Sequence, residues 1–222
     1  MDRLLFSWSS GKDSALALHE ILKSGQYEVA ALLTTLTVDY DRVSMHGVRR
    51  VLLEAQAAAL GLPLEKIWIR PNATNADYET QMRQTLERYH AAGVNAVAFG
   101  DLFLQDVRQY REANLAQSGM QAVFPLWARD TRDLFHSMVR SGFKAVVTCV
   151  DTQALGAEFS GREIDETFLA DLPAGVDPCG ENGEYHSFVY AGPIFKNPIA
   201  FTLGEQVLRE NRFSYVDLAP VP

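Results

Sequence analysis

The sequence predicts an α/β fold: a five-stranded parallel sheet with helices on both faces, followed by a smaller α+β lobe towards the carboxyl terminus. Two observations carry this. Up to about residue 125, short continuous apolar runs alternate with longer segments of helical period, the pattern of crossover-connected strands covered on both faces. Beyond Asp151 that rhythm breaks, glycines and prolines become denser, and shorter antiparallel strands are expected.

Leu4, Leu5 and Phe6 form the first strand. Ala15, Leu18, Ile21 and Leu22 then recur at helical spacing, and Gly25 closes that helix. Residues 29–35 form a second buried strand, and residues 36–46 a polar loop. A helix over 47–60 puts Val48, Val51, Leu52, Ala55 and Ala59 on one face and stops at Gly61 and Pro63. Residues 66–70 form a third strand. Thr74 with Asp77 three positions later is a capping box, opening a helix to residue 92 with Tyr78, Met82, Leu86 and Tyr89 inward. Residues 95–99 form the fourth strand and end at Gly100-Asp101. A helix over 106–118, a fifth strand over 121–125, a helix over 130–141 and a strand over 144–150 follow.

The totals bound the function. A chain of 222 residues, 47% hydrophobic and 22% charged, can bury a sizeable core. A net charge of −8 argues against general nucleic-acid binding or an anionic-membrane surface. Two cysteines, Cys149 and Cys179, make neither a C-x-x-C motif nor a disulfide framework. The opening apolar run is too short for a signal peptide, and no run reaches membrane-spanning length. A cytoplasmic protein with reduced thiols is expected.

Two stretches carry chemistry. Ser9, Ser10, Gly11, Lys12, Asp13 and Ser14 lie between the first strand and the first helix. Free backbone N–H groups and the helix dipole favour an anion there, and Lys12 adds a full charge. It is not the common P-loop: Phe6 stands where that motif needs glycine, and Asp13 where it needs Ser or Thr. If the first and fourth strands are neighbours, this loop faces Gly100 and Asp101, pairing a lysine loop with a carboxylate as a magnesium nucleotide requires. The second stretch runs from Asp177 to Val189. Gly180 and Gly183 permit close backbone approach, and Glu181 and Glu184 are suited to metal binding, ammonium binding or proton transfer. Asn182-Gly183 is equally a hairpin-turn signal. Cys179 lacks a base partner and is read as packing rather than as a nucleophile.

The first loop resembles the Ser-Gly-Gly-x-Asp-Ser pyrophosphate loop of the N-type ATP pyrophosphatases, with Ser10 in place of the first glycine; a positive φ there would strain the serine. The run Gly180-Glu181-Asn182-Gly183-Glu184-Tyr185-His186-Ser187-Phe188-Val189, then Gly192-Pro193-Ile194-Phe195, resembles the carboxyl-terminal signature of the diphthine–ammonia ligase family. Gly100-Asp101-Leu102, Tyr110-Arg111-Glu112, Pro125-Leu126-Trp127 and Phe159-Ser160-Gly161-Arg162 resemble it in the same order. The resemblance implies a HUP-like (Rossmann-like) nucleotide-binding domain over residues 1–125 and a substrate-binding subdomain over 126–222. It implies ATP-dependent amidation of a carboxylate through an acyl-adenylate, releasing AMP and pyrophosphate.

On that reading ATP and Mg2+ are the cofactors. Ser9, Ser10, Gly11, Lys12, Asp13, Ser14, Gly100 and Asp101 hold the phosphates and metal (Asp13 and Asp101 as metal ligands), with adenine near Thr34 and Thr35. Lys12, Asp13, Glu181 and Glu184 are the catalytic candidates; His46, Gly180, Asn182, Gly183 and His186 are the substrate-binding ones. His186-Ser187 follows a bacterial version of the pattern, where eukaryotic and archaeal members read Glu-Thr. That implies a carboxylate acceptor, small-molecule or protein-borne, other than the elongation-factor one, with ammonium as co-substrate. A homodimer is left open. The rival readings are an ATP- or AMP-binding regulatory module without turnover, and a tRNA-modifying adenylase.

Overall fold

The computed structural model describes residues 1–70 and 73–221. β1 (Asp2–Ser7) buries Leu4 and Phe6 on one face and Leu5 on the other. Both faces are covered, which is why its apolar run is continuous. α1 (Lys12–Ser24) ends where Gly25 takes φ 63° and donates its N–H to Leu22 O. β2 (Tyr27–Thr37) pairs parallel with β1. The loop after it contains a two-residue strand, β3 (Arg42–Val43), antiparallel to the end of β2. The Val43 N–H donates to Val48 O and the Gly47 N–H to Val43 O. This small hairpin consumes the residues expected to open the next helix, so α2 (Arg50–Leu60) begins at Arg50 rather than Gly47.

β4 (Leu64–Ile69) pairs parallel with β2. α3 (Asn75–Ala91) opens on Thr74 and Asp77 with both reciprocal capping-box bonds made. β5 (Ala96–Ala98), α4 (Gln105–Gln117) and β6 (Gln121–Val123) complete the first sheet. Its parallel strands lie in the order β4-β2-β1-β5-β6. The chain starts at the centre and winds outward in both directions, so the order reverses between β1 and β5, where such sheets bind ligands. The first and fourth parallel strands are therefore neighbours, with Leu4 opposite Ala96 and Phe6 opposite Ala98.

The remaining elements are α5 (Thr131–Arg140), β7 (Lys144–Asp151), α6 (Glu166–Asp171), β8 (Tyr185–Ala191), β9 (Phe201–Arg209) and β10 (Phe213–Pro220). The strands form an antiparallel sheet in the order β8-β7-β10-β9. They are longer than β5 and β6, not shorter: seven to nine residues against three. Most of the dense glycines and prolines punctuate the connections, with Gly204 inside β9 an exception, while the antiparallel ladders run on between them.

One buried apolar cluster joins the two sheets, from Leu4, Phe6 and Trp8 to Phe143, Phe188 and Leu218. Polar links reinforce it. Asp217 on β10 pairs with Arg42 at 2.8 Å and Arg49 at 2.5 Å. Hydrogen bonding from Arg49 and then from Arg42, with the charges of both, outweighs burial and holds its carboxyl down at about pKa 2. A depressed carboxyl stabilises the fold above its unfolded value, and that contribution is lost as pH falls through 4 towards 2. Asp217→Asn should therefore cost about 1–2 kcal/mol at neutral pH in urea unfolding, since the pair is only partly shielded from water.

Candidate active site

A cleft of about 670 Å³ opens at the carboxyl ends of β1, β2 and β5 and is bordered by residues 180–187 of the second lobe. Its size suits a nucleotide-sized ligand. The β1–α1 loop forms its floor, because the strand delivers the loop to the sheet edge and the helix carries its N–H groups away. Ser9, Lys12, Asp13 and Ser14 line the cleft, as do Thr34 and Thr35 on β2. Thr34 donates its hydroxyl to Trp8 O at 2.7 Å, tying β2 to the start of the loop. Opposite, Gly100 comes into contact with the loop and Asp101 lines the same cleft. A Cβ on Gly100 would stand 2.9 Å from Ser14 N and 3.0 Å from Asp13 C, so only glycine allows this approach.

The second lobe closes on the same loop. Lys12 N–H donates to Ser187 Oγ at 3.1 Å. The Lys12 ammonium donates to both Asp13 oxygens, at 2.9 and 2.7 Å, and to Cys179 O, and it lies 5.0 Å from the centre of the Tyr185 ring. Burial opposes its charge, but Asp13 and the other neighbours outweigh burial and raise its pKa. The ammonium is therefore fully charged at neutral pH.

Glu181 reaches across from the second lobe and accepts Leu102 N–H at 2.7 Å, just past Asp101. Burial pushes its carboxyl up to about 7, helped by the charges of Asp13 and Asp101 and opposed by the Leu102 bond. A carboxyl that titrates near neutrality inside a cleft is suited to proton transfer. Asp101 is held by Arg111, with Nε at 2.7 Å, and that guanidinium also stacks 4.4 Å from the Phe99 ring centre. His46 and His186 meet with ring centres 4.6 Å apart, and His46 Nδ1 lies 3.4 Å from Ser187 O. Burial first, then the neighbouring His186, lowers His46 to about 3; burial and then Lys12 lower His186 to about 4. Both rings are neutral at physiological pH and can accept or donate one hydrogen bond at each nitrogen.

The expected residues are thus largely assembled in one place: Gly180, Glu181, Gly183, His46 and His186 line the cleft with the loop. Four do not line it. Ser10 turns its side chain into the protein and is fully buried, and Gly11 lies behind Ser9 and His46, which line the cleft in front of it. Glu184 is 6% exposed and accepts Asp177 N–H and Asn182 Nδ2, each at 3.0 Å. Glu184 and Asn182 therefore brace the turn through Gly180–Gly183, while Glu181 takes the cleft-facing position. Cys179 is buried, its thiol 3.2 Å from Thr131 O, and burial raises its pKa well above the usual thiol range, which fits packing and not nucleophilic attack.

Ser187, Arg111 and Gln56 were not among the expected site residues. Ser187 directly follows His186 in the same dense run. Arg111 stands in the Tyr110-Arg111-Glu112 run that resembles the family. Gln56 carried a usable signal: it falls four residues after Leu52, a polar residue on the buried face of α2. Among the described residues no three His, Cys, Asp or Glu side chains come together to hold a metal ion, and no helix is long and apolar enough to cross a membrane.

Comparison with known proteins agrees with this architecture. Residues 3–122 match the diphthamide synthase N-terminal domain family, and residues 130–217 match the diphthamide synthase C-terminal domain family. A diphthine–ammonia ligase from Danio rerio is 27% identical over 91% of this chain and 88% of its own length. The Homo sapiens diphthine–ammonia ligase is 25% identical over 90% of this chain and 83% of its own. That from Schizosaccharomyces pombe is 28% identical over 90% of this chain, but the match covers 36% of the longer fungal protein.

Proposed function

The chain belongs to the diphthamide synthase family, and we propose that it is an ATP-dependent ligase that adenylates a carboxylate and transfers ammonia to it, releasing AMP and pyrophosphate. The observation that carries this reading is that the Ser9–Ser14 loop, Asp101 and Glu181 face one cleft. A phosphate-holding turn alone would suit a binding module. A second-lobe carboxyl titrating near pH 7 beside it suits a step in which a proton is released. Relatives named as ligases favour the same reading over a regulatory module or a tRNA adenylase.

In the first step an oxygen of the substrate carboxylate attacks the α-phosphorus of ATP, and the bond to the pyrophosphate oxygen breaks. Loop N–H groups and Lys12 position and neutralise the leaving pyrophosphate, and Arg111 is a further cation lining the cleft. In the second step ammonia attacks the acyl carbon and AMP leaves with the electron pair. The ionised Glu181 carboxylate takes the proton lost by nitrogen. Asp101 and Asp13 would hold magnesium together with phosphate oxygens, supplying charge neutralisation. One or two carboxylates plus phosphates is the donor set magnesium favours, and it needs no dedicated protein cage. His46 and His186, both neutral, face the acceptor side.

The test incubates the protein with ATP, Mg2+, ammonium and a panel of carboxylates that includes diphthine, the acceptor in the relatives' names. The nucleotide product and any amide are read by mass spectrometry. AMP that forms only with an acceptor, together with its amide, is the expected outcome. ADP as the nucleotide product would refute adenylation, and bound ATP with no turnover across the panel would favour the regulatory module.

A further inference from the structure

Ser10 takes φ +69°, in the left-handed region, with its side chain fully buried and its hydroxyl without a partner among the described residues. A non-glycine residue there is strained and persists only where its surroundings hold it. What holds Ser10 is its carbonyl, which accepts the Val189 N–H of β8 and Gln56 Nε2, both at 3.0 Å. Gln56 is wholly buried, and each of its polar atoms is engaged. Its Nε2 also donates to Val189 O at 2.6 Å, and its Oε1 accepts Trp8 Nε1 at 2.9 Å. It stands on α2 and does not line the cleft.

The consequence follows from peptide geometry. In a trans peptide the C=O and the next N–H point in opposite directions. Anchoring the Ser10 carbonyl inward sends the Gly11 N–H the other way, where it donates to Ser9 Oγ at 3.3 Å, a side chain on the cleft wall. We propose that Gln56 is the positioning residue of the nucleotide loop: it grips the Ser10 carbonyl, holds the Gly11 N–H on Ser9 Oγ at the cleft wall that faces the phosphates, and couples that placement to β8 through Val189. The inference rests on the reading that this loop takes phosphates.

The test compares Mg-ATP with adenosine, which shares the base and sugar but lacks phosphate, by calorimetric titration. Gln56→Met keeps the volume and removes the hydrogen bonds. It should weaken Mg-ATP by about tenfold, the scale of one or two lost hydrogen bonds, and leave adenosine within about twofold. Adding Ser10→Gly removes the strain that Gln56 holds, so the double variant should recover most of the lost affinity. Should Gln56→Met fail to fold, Gln56→Asn, whose amide is one methylene too short, carries the same expectation. If Mg-ATP and adenosine weaken together, or neither changes, or Ser10→Gly gives no recovery, Gln56 is only a core residue and the proposal falls. A parent protein that binds Mg-ATP no better than adenosine would instead overturn the phosphate reading itself.

Discussion

Lys12→Met is expected to lower AMP formation by at least about a hundredfold and to cost about 3 kcal/mol of stability. Both effects have one origin. The Lys12 side chain is 3% exposed, and its ammonium satisfies two acceptors at once, the Asp13 carboxylate and the Cys179 carbonyl. Removing it leaves a carboxylate at the floor of the cleft with no counter-charge. The Asp13 side chain keeps 29% exposure, so the stability loss stays at the lower end for a broken buried pair. The catalytic loss is separate, because methionine cannot neutralise a developing pyrophosphate. Urea unfolding measures the first effect, and initial rates at saturating ATP below the unfolding range measure the second. A stable variant with parental AMP formation would remove Lys12 from the mechanism.

Glu181→Gln is expected to stabilise the unliganded protein at pH 8 by up to about 3 kcal/mol and to leave it almost unchanged at pH 4.5. Burial raises the folded pKa from 4.5 to about 7. The folded state therefore binds the proton more tightly, and the contribution of the protonated acid is complete below the unfolded value. It is lost as pH rises through 7. Glutamine keeps the oxygen that accepts Leu102 N–H and carries no charge to desolvate beside Asp13 and Asp101. The difference between variant and parent in urea midpoints should grow between pH 4.5 and 7 and then level off. A difference independent of pH would place the ordinary carboxylate pKa back on Glu181 and remove its role as proton acceptor. The same variant should slow amide formation, since the amide cannot take the proton from nitrogen.

What was legible in the sequence was local or periodic. Continuous apolar runs marked β1 and β2, and the Thr74–Asp77 box marked the start of α3, because those signals arise within a few residues of each other. The neighbouring of β1 and β5 followed from crossover logic, and with it the meeting of the loop with Gly100-Asp101. What was not legible depended on contacts across long separations. Glu181 and Glu184 look equivalent in a run of acids and glycines. Only the bonds from Asp177 N and Asn182 show that Glu184 turns in to brace the turn while Glu181 faces the cleft. Ser10 in the left-handed region was foreseeable as strain, but the two donors that hold its carbonyl come from α2 and β8. The clamp of Asp217 on Arg42 and Arg49 spans most of the chain. The lengths of β8, β9 and β10 were obscured because most of the glycines and prolines beyond Asp151 sit in the connections, while Gly204 lies inside β9.

The central claim is that the acceptor's oxygen attacks the α-phosphorus. The most direct test is to run the reaction with an acceptor whose carboxylate is labelled with oxygen-18, in the presence of Mg-ATP and ammonium, and to weigh the phosphorus-containing products. Adenylation predicts one labelled oxygen in AMP and none in pyrophosphate. Label in inorganic phosphate, with ADP as its companion, would mean attack at the γ-phosphorus and would contradict the account.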